Sequence, residues 1–273
     1  MNLIKELTDK NIAHPPIWLP DATQYLTKMG SQAYGCSDDD SDLDIYGFCI
    51  PPLDMIFPHL RGEILDFGDQ HQRFKNHQEH HLLHDNFNYD ISIYSIVHYF
   101  HLLMENNPNM TDSIFTYDTD VIFQTKISKL VRDNKHIFLH RGAYHRYTGY
   151  AHSQFHKIKN KNGHENEKRN NSIKTFGYDV KYGYHLLRLM LEISDILNNG
   201  TFDIKANSAY LKEIRQGKYT FAELETEFNR LDRMMAIAYE NSKLPDKPDE
   251  LAIKKLLLNC IEEHHGKLEF FKL

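Results

Sequence analysis

The chain has 273 residues, 41% of them apolar and 26% charged, with a formal net charge of −6. That is enough for one or two cored domains, and the acidic balance excludes a general electrostatic attraction to nucleic acid, so any RNA or DNA contact needs a local basic patch. No apolar run approaches the ~18 residues of a membrane span. MNLIKELTDKN opens no secretory signal, and Cys36, Cys49 and Cys260 are too few and too scattered for a disulfide framework. A reducing, cytoplasmic location follows as the expectation.

Residues 1 to about 120 alternate short apolar runs with turn residues, a mixed α/β pattern. Tyr25 to Met29 is a strand candidate that ends at Gly30-Ser31. Leu43 to Ile50 is a second strand, stopped by Pro51-Pro52 because proline donates nothing to a ladder. Tyr89 to Ile93 is a third, running into a helical pattern from Ile96 to Met104 that ends at Asn106-Asn107-Pro108. Beyond that the pattern is helical. Phe123 to Ile137 is amphipathic, and Tyr178 to Leu197 carries a long apolar stripe that stops at Asn198-Asn199-Gly200. Thr220 and Glu223 have capping-box spacing, and a last helix is expected from Leu251 to Glu263. The expected class is α+β: a small α/β unit with a mixed sheet over residues 1–122, then a mainly helical unit over residues 123–273 that contributes to substrate binding.

Between the first two strands, five aspartates fall within seven residues, Asp38, Asp39, Asp40, Asp42 and Asp44. The first three lack interleaved apolar residues and read as a solvated loop. Asp42 and Asp44 differ. On a strand, residues two apart share a face, so their carboxylates sit side by side while Leu43 and Ile45 turn to the core. Two carboxylates on one rigid face repel unless a cation lies between them. Mg²⁺ takes oxygen ligands and typically combines one or two carboxylates with substrate phosphates. Gly30-Ser31 supplies the other half: glycine allows close approach of a phosphate, and Ser31 offers a hydroxyl and a helix start.

Met29-Gly30-Ser31, a spacer of about ten residues, then Asp42-Leu43-Asp44 on a strand, resembles the signature of the polymerase-beta-like nucleotidyltransferase superfamily. The wording GSQAYG…SDLDIYGFCIPP, and the later NNPN (Asn106 to Asn109), is similar to one branch, the nucleotidyltransferases of bacteria and phages associated with RNA repair. The resemblance implies Mg²⁺, or Mn²⁺ in its place, held by Asp42, Asp44 and a third carboxylate on a later strand. Asp90 in NYDISIYSIVHYF is the candidate, as base or orienting group; a turn residue or helix cap is the competing reading, and Asp66, Asp69 and Asp85 are rivals without a clear strand.

The resemblance also implies a Lys-X-X-X-His-X-X-Arg helix against the triphosphate. Lys181, His185 and Arg188 match it, at i, i+4 and i+7 on one helical face; a solvated face paired to Asp179 or Glu192 is the bland alternative. His152, Gln154 and Lys157 are further polar candidates for base, sugar or phosphate. From Lys157 to Lys174 there are six Lys/Arg against two Glu, expected as a polar loop that is solvated or closes over an anion. The histidines at 71, 77, 80, 81 and 84 invite zinc at helical spacing, but no cysteine is near and no glutamate sits where a metalloprotease motif needs it. Cys36 beside the motif has no identifiable base and reads as a bystander.

The expected function is a Mg²⁺-dependent transfer of a nucleoside monophosphate from an NTP to a hydroxyl acceptor with release of pyrophosphate. Gly30 and Ser31 would hold the β/γ-phosphates, and Lys181 and Arg188 the leaving group. RNA, for instance a tRNA 3′ end, is the acceptor the resemblance implies. The alternatives are a small-molecule or protein acceptor, as in antibiotic-modifying or toxin-like enzymes, or a catalytically silent nucleotide-binding module.

Overall fold

The computed structural model describes residues 2–37, 42–64, 66–70, 72–160 and 167–268, apart from the side chain of Lys168. Helix α1 (Leu3–Asp9) and the short α2 (Leu19–Ala22) precede β1 (Thr23–Lys28), which runs straight into a single helical turn, α3 (Gly30–Ala33). Strand β2 (Leu43–Cys49) is followed by the short α4 (Leu53–Ile56), then by the long hairpin β3 (Asn76–His84) and β4 (Phe87–Ser95). Five elements follow: α5 (Ile96–Met104), α6 (Pro108–Phe115), β5 (Val121–Gln124), α7 (Lys126–Asp133) and α8 (Ala143–Asn160). The chain closes with α9 (Glu167–Phe176), α10 (Val180–Asn199), α11 (Ser208–Arg215), α12 (Phe221–Asn241) and α13 (Glu250–His265). The class is α+β, as expected.

The sheet has the order β3-β4-β2-β1-β5, with β2 and β4 parallel and the other neighbours antiparallel. Alternation along the strands separates two cores. Leu26, Ile45, Cys49, Ile91 and Ile93 point to one face and pack with Ile4, Leu7 and Leu19 of α1 and α2. Tyr25 and Phe48 point to the other, where they join Tyr99, Tyr147, Leu186 and Leu187 of the helices. This second core draws residues from both sides of position 122, and β5, which spans that position, belongs to the sheet. Helix α13 returns to the sheet's end, where the His265 imidazole lies 2.9 Å from the Pro51 carbonyl oxygen.

Local chemistry explains the boundaries. Ser95 caps α5 by accepting from the His98 N–H at 3.2 Å. Thr220 and Glu223 form the expected capping box at the start of α12. Gly200 ends α10 in the left-handed conformation, φ +68°.

Three local expectations are corrected. Phe123 to Ile137 is not one helix: Val121 to Gln124 pair with β1, and a Thr125–Ser128 capping box starts α7 only at Lys126. The histidine run from His77 to His84 is strand β3, so the helical i, i+4 pairing behind the zinc reading does not exist there; His71 lies outside the described residues. The polar stretch after Lys157 is helical up to Asn160 and again from Glu167, while residues 161–166 lie outside the described residues. Asp38, Asp39 and Asp40 do as well. Among the described residues no helix is long and apolar enough to cross a membrane.

Candidate active site

Asp44 lies on β2 and is directly in register with Asp90 on the parallel neighbour β4. Adjacent strands lie about 4.8 Å apart, so the two carboxylates leave one face of the sheet side by side. Ile45 and Ile91, also in register, are buried on the opposite face. Asp42, just before β2, is exposed at the mouth of the same cavity. The turn after β1 closes the floor. The Met29 N–H donates to the Asp44 carbonyl at 2.7 Å, which fixes the start of α3 against β2. Gly30 has φ +59°, and a Cβ built on it would lie 1.9 Å from Asp44 Oδ2. The carboxylate therefore occupies the space that any other residue at position 30 would fill.

A β-bulge holds Asp90. Between Glu79 and Leu82 the pairing of β3 with β4 slips, and His81 takes a left-handed φ of 58°. Freed from the ladder, the His81 N–H donates to Asp90 Oδ1 at 2.9 Å, and His80 Nδ1 lies 3.5 Å from the same oxygen. Bulges of this kind re-aim groups beside functional sites. No turn residue marks it in the sequence, where it is only two consecutive histidines.

The cavity has a volume of about 570 Å³, and its walls bring together Gly30, Ser31, Asp42, Asp44, Asp90, Lys181 and His185. Seven of the residues picked out from the sequence thus meet in one place, although α10 begins more than 80 positions after β4 ends. Burial pushes the Asp44 carboxyl up; Lys181 pulls it down, and Asp90 and Asp42 push it further up. The three carboxylates repel, and one exposed ammonium does not neutralise them. Burial, followed by the positive charges of Arg188, Lys181 and Arg215, pushes the His185 imidazole well below 6.5, so it is neutral at pH 7.

Arg188, His152 (its Nε2 3.2 Å from Asp232 Oδ1), Gln154 and Lys157 lie outside this cavity. Arg188 is 3% exposed beneath it and donates to Asp112, to both Glu192 oxygens at 3.1 Å and to the Tyr34 hydroxyl at 2.8 Å. Its guanidinium joins α10, α6 and the residue after α3 instead of reaching a ligand. Gln154 and Lys157 are on α8; the Lys157 ammonium lies 5.5 Å from the Tyr182 ring centre, and neither residue lines the cavity. The walls include others that the sequence did not single out as site residues: Tyr34, Tyr46, Tyr184, Asn109 and Arg215. Asn109 is the last residue of the NNPN stretch. Arg215 ends α11, stacks 5.6 Å from the Tyr184 ring centre and lies on the cavity's cationic side with Lys181. Nothing near it in sequence signals this. Cys36 is buried, with its thiol pushed up by that burial.

The donor set fits a hard divalent cation: carboxylate oxygens on two in-register strands, one of them pushed up in pKa by burial and by its acidic neighbours, beside a glycine whose missing side chain lets that carboxylate pack against the turn. Among the described residues, the group of metal-capable atoms closed to within 4.8 Å is a different one, Glu6, His84 and Asp85. That cluster already contains a cation, since Lys10 Nζ lies 2.8 Å from Glu6 Oε1 and 3.4 Å from His84 Nε2.

No curated protein matches the sequence. Among solved structures, the chain is similar to a nucleotidyltransferase-like protein from Exiguobacterium sibiricum 255-15, with 9% identity, 95% of this chain and 78% of that chain covered, and a TM-score of 0.31. Residues 11–256 match the RNA repair pathway DNA polymerase beta family. A polymerase-beta-like nucleotidyltransferase family is therefore where this sequence is placed, and the chain belongs to the RNA repair pathway DNA polymerase beta family.

Proposed function

We propose that the protein is a Mg²⁺-dependent nucleotidyltransferase that moves a nucleoside monophosphate from an NTP to a hydroxyl of RNA, releasing pyrophosphate. The observation that carries this reading is the registered Asp44–Asp90 pair with Gly30 packed against Asp44. Asp42, Asp44 and Asp90 would hold Mg²⁺, or Mn²⁺ in its place. Bound there, the ion would neutralise the carboxylates and offer charge to the triphosphate oxygens.

The chain's own residues do the rest. Gly30 and Ser31 let the β- and γ-phosphates approach the backbone, where the first N–H groups of a helical turn have no partner within it. Lys181 and Arg215 face the space where the leaving pyrophosphate gains charge, and fixed cations are most effective where charge develops. Neutral His185 adds a hydrogen-bonding group there without adding repulsion to Lys181. Asp90, aimed by the His81 N–H, is the group positioned to orient the acceptor hydroxyl and take its proton as the oxygen attacks the α-phosphorus. Arg188 acts from behind the wall by seating α10. We assign no nucleotide contact to Gln154 or Lys157.

The test is incubation with each α-labelled NTP, Mg²⁺ and either a single-stranded oligoribonucleotide or tRNA. The expected result is label on the RNA together with released pyrophosphate. Label on a protein or small molecule in a cell extract would keep the chemistry and replace the acceptor. No transfer from any NTP to RNA or to any extract component would overturn the proposal.

A further inference from the structure

The catalytic face of the sheet is only half covered. Over β1 and the end of β2 the helices close it, but from Tyr46 of β2 across β4 and β3 it is more open: Asn76 and Gln78 are exposed, Tyr46 and Tyr94 are half-buried, and Ser92 is covered by Gln78, which donates to it at 3.1 Å. Residues two apart share a face, so Asp90, Ser92 and Tyr94 point the same way, as do Asp44 and Tyr46. From the paired carboxylates a row of rings leads across this open half. Tyr46 lies 6.2 Å from Tyr94, Tyr94 lies 6.0 Å from His98, and His98 stacks on His101 at 6.0 Å with 21° between planes.

The row ends in a groove of about 300 Å³ whose walls include Phe74, Val97, His98 and His101 with the cations Arg73 and Lys75. Among the described residues no carboxylate lines it; Glu105 lies behind it, 3.7 Å from His101 Nε2, and Asp54 and Glu63 line the adjoining cavity that Arg73 and Lys75 share. Arg73 and Lys75 are exposed and have no ion-pair partner among the described residues. Arg61 nearby does not count, because its guanidinium is tied to Asp54 at 2.7 Å. A chain of net charge −6 thus keeps a cationic, ring-lined groove about 16 Å along the strand from Asp90, taking the five residues to Ser95 at about 3.3 Å each.

We propose that this open half-face is the track of a single-stranded RNA, with its acceptor hydroxyl at Asp90, its bases against Tyr46, Tyr94 and His98, and its backbone phosphates at Arg73 and Lys75. Rings on a cationic groove are the chemistry of single-strand binding: bases stack on aromatic faces regardless of sequence, and cations follow the backbone. A duplex does not fit, because paired bases present no free faces to the rings. The proposal rests on the reading of the protein as an RNA nucleotidyltransferase, and it adds where the RNA lies.

The experiment measures binding separately from transfer. A fluorescent single-stranded oligoribonucleotide of about 12 nucleotides is titrated with the parent protein, with the Arg73→Ala/Lys75→Ala double variant and with His98→Ala. All three positions lie on accessible surface outside the two cores, so the variants fold. The double variant is expected to bind about tenfold or more weakly, with a salt dependence shallower by roughly 1.4 for two lost phosphate contacts. His98→Ala is expected to lose about fivefold or more. Both should keep the parent's NTP-dependent thermal shift. Unchanged affinity and salt slope in the double variant would overturn the track, as would a parent that prefers duplex to single-stranded RNA. A parent that binds through these residues but transfers no nucleotide would overturn the function proposed above and leave the track standing. A parent that transfers equally well with and without Arg73 and Lys75 would do the reverse.

Discussion

At the scale of single residues, Gly30 is the most constrained position in the site. Its left-handed φ and its contact with the Asp44 carboxylate both exclude a side chain. Gly30→Ala is expected to lower stability by about 1–2 kcal/mol from the backbone conformation alone. It should lower transfer by about a hundredfold, because the displaced carboxylate misplaces everything bound to it; denaturant unfolding and labelled-NTP transfer read the two effects separately. His185 gives a pH signature. Its folded pKa is depressed by burial and then by Arg188, Lys181 and Arg215, so the unfolded chain binds the proton more readily. The stability this contributes is fully present above 6.5 and is lost as pH falls below that value. His185→Gln should therefore flatten the fall in unfolding free energy between pH 7 and pH 5, and an unchanged slope would remove His185 as its source. The sequence made most of these residues legible because Gly-Ser and Asp-X-Asp are local spacings with a local physical reason. Arg215 and the His80–His81 bulge were not legible, because their roles exist only once distant elements meet.

At the scale of elements, β2 and helices α10, α12 and α13 were readable from alternation and capping, whereas α11 was not. β3 and β5 were not. The half-buried positions of β3 in NHQEHHLLH include His77 and Glu79, which are polar, so its apolar residues carry no period-two signal; it is a strand because β4 offers it an edge. β5 is four residues long, too short to show a period, and its apolar VIF merges with the helix that follows. Arg188 shows the same limit at closer range. Its helical spacing with Lys181 and His185 is real, but further along the helix axis the same face is covered by the core, and there Asp112 and Glu192 receive it. Burial pushes both of those carboxyls up, Glu192 the more strongly, while Arg188 pulls both down. Removing one partner from such a group leaves buried charge uncompensated. Arg188→Ala should lower stability by about 3–5 kcal/mol and weaken α10's hold on α6. A guanidinium that touched phosphate would give the opposite pattern, with activity lost and the unfolding free energy unchanged.

At the scale of the whole molecule, the sheet divides the work. Its inner face toward α1 and α2 is apolar and silent, while the other face carries the carboxylates and receives Lys181, His185 and Arg215 from helices far along the chain. One core joins those helices to the strands, so the cationic wall is held rigidly against the acidic one. The central claim is that Asp44 and Asp90 act as one metal-holding pair. The direct measurement is nucleotidyl transfer, with and without Mg²⁺, for the parent and for Asp44→Asn and Asp90→Asn, alongside the thermal shift given by Mg²⁺ and NTP. The account predicts that each substitution abolishes both the transfer and the Mg²⁺-dependent shift. It further predicts that Asp44→Asn without metal unfolds at a higher temperature than the parent, since burial, and then Asp90 and Asp42, make an ionised Asp44 destabilising. Transfer at the parent rate by either variant, or a Mg²⁺ shift that survives both substitutions, would contradict it.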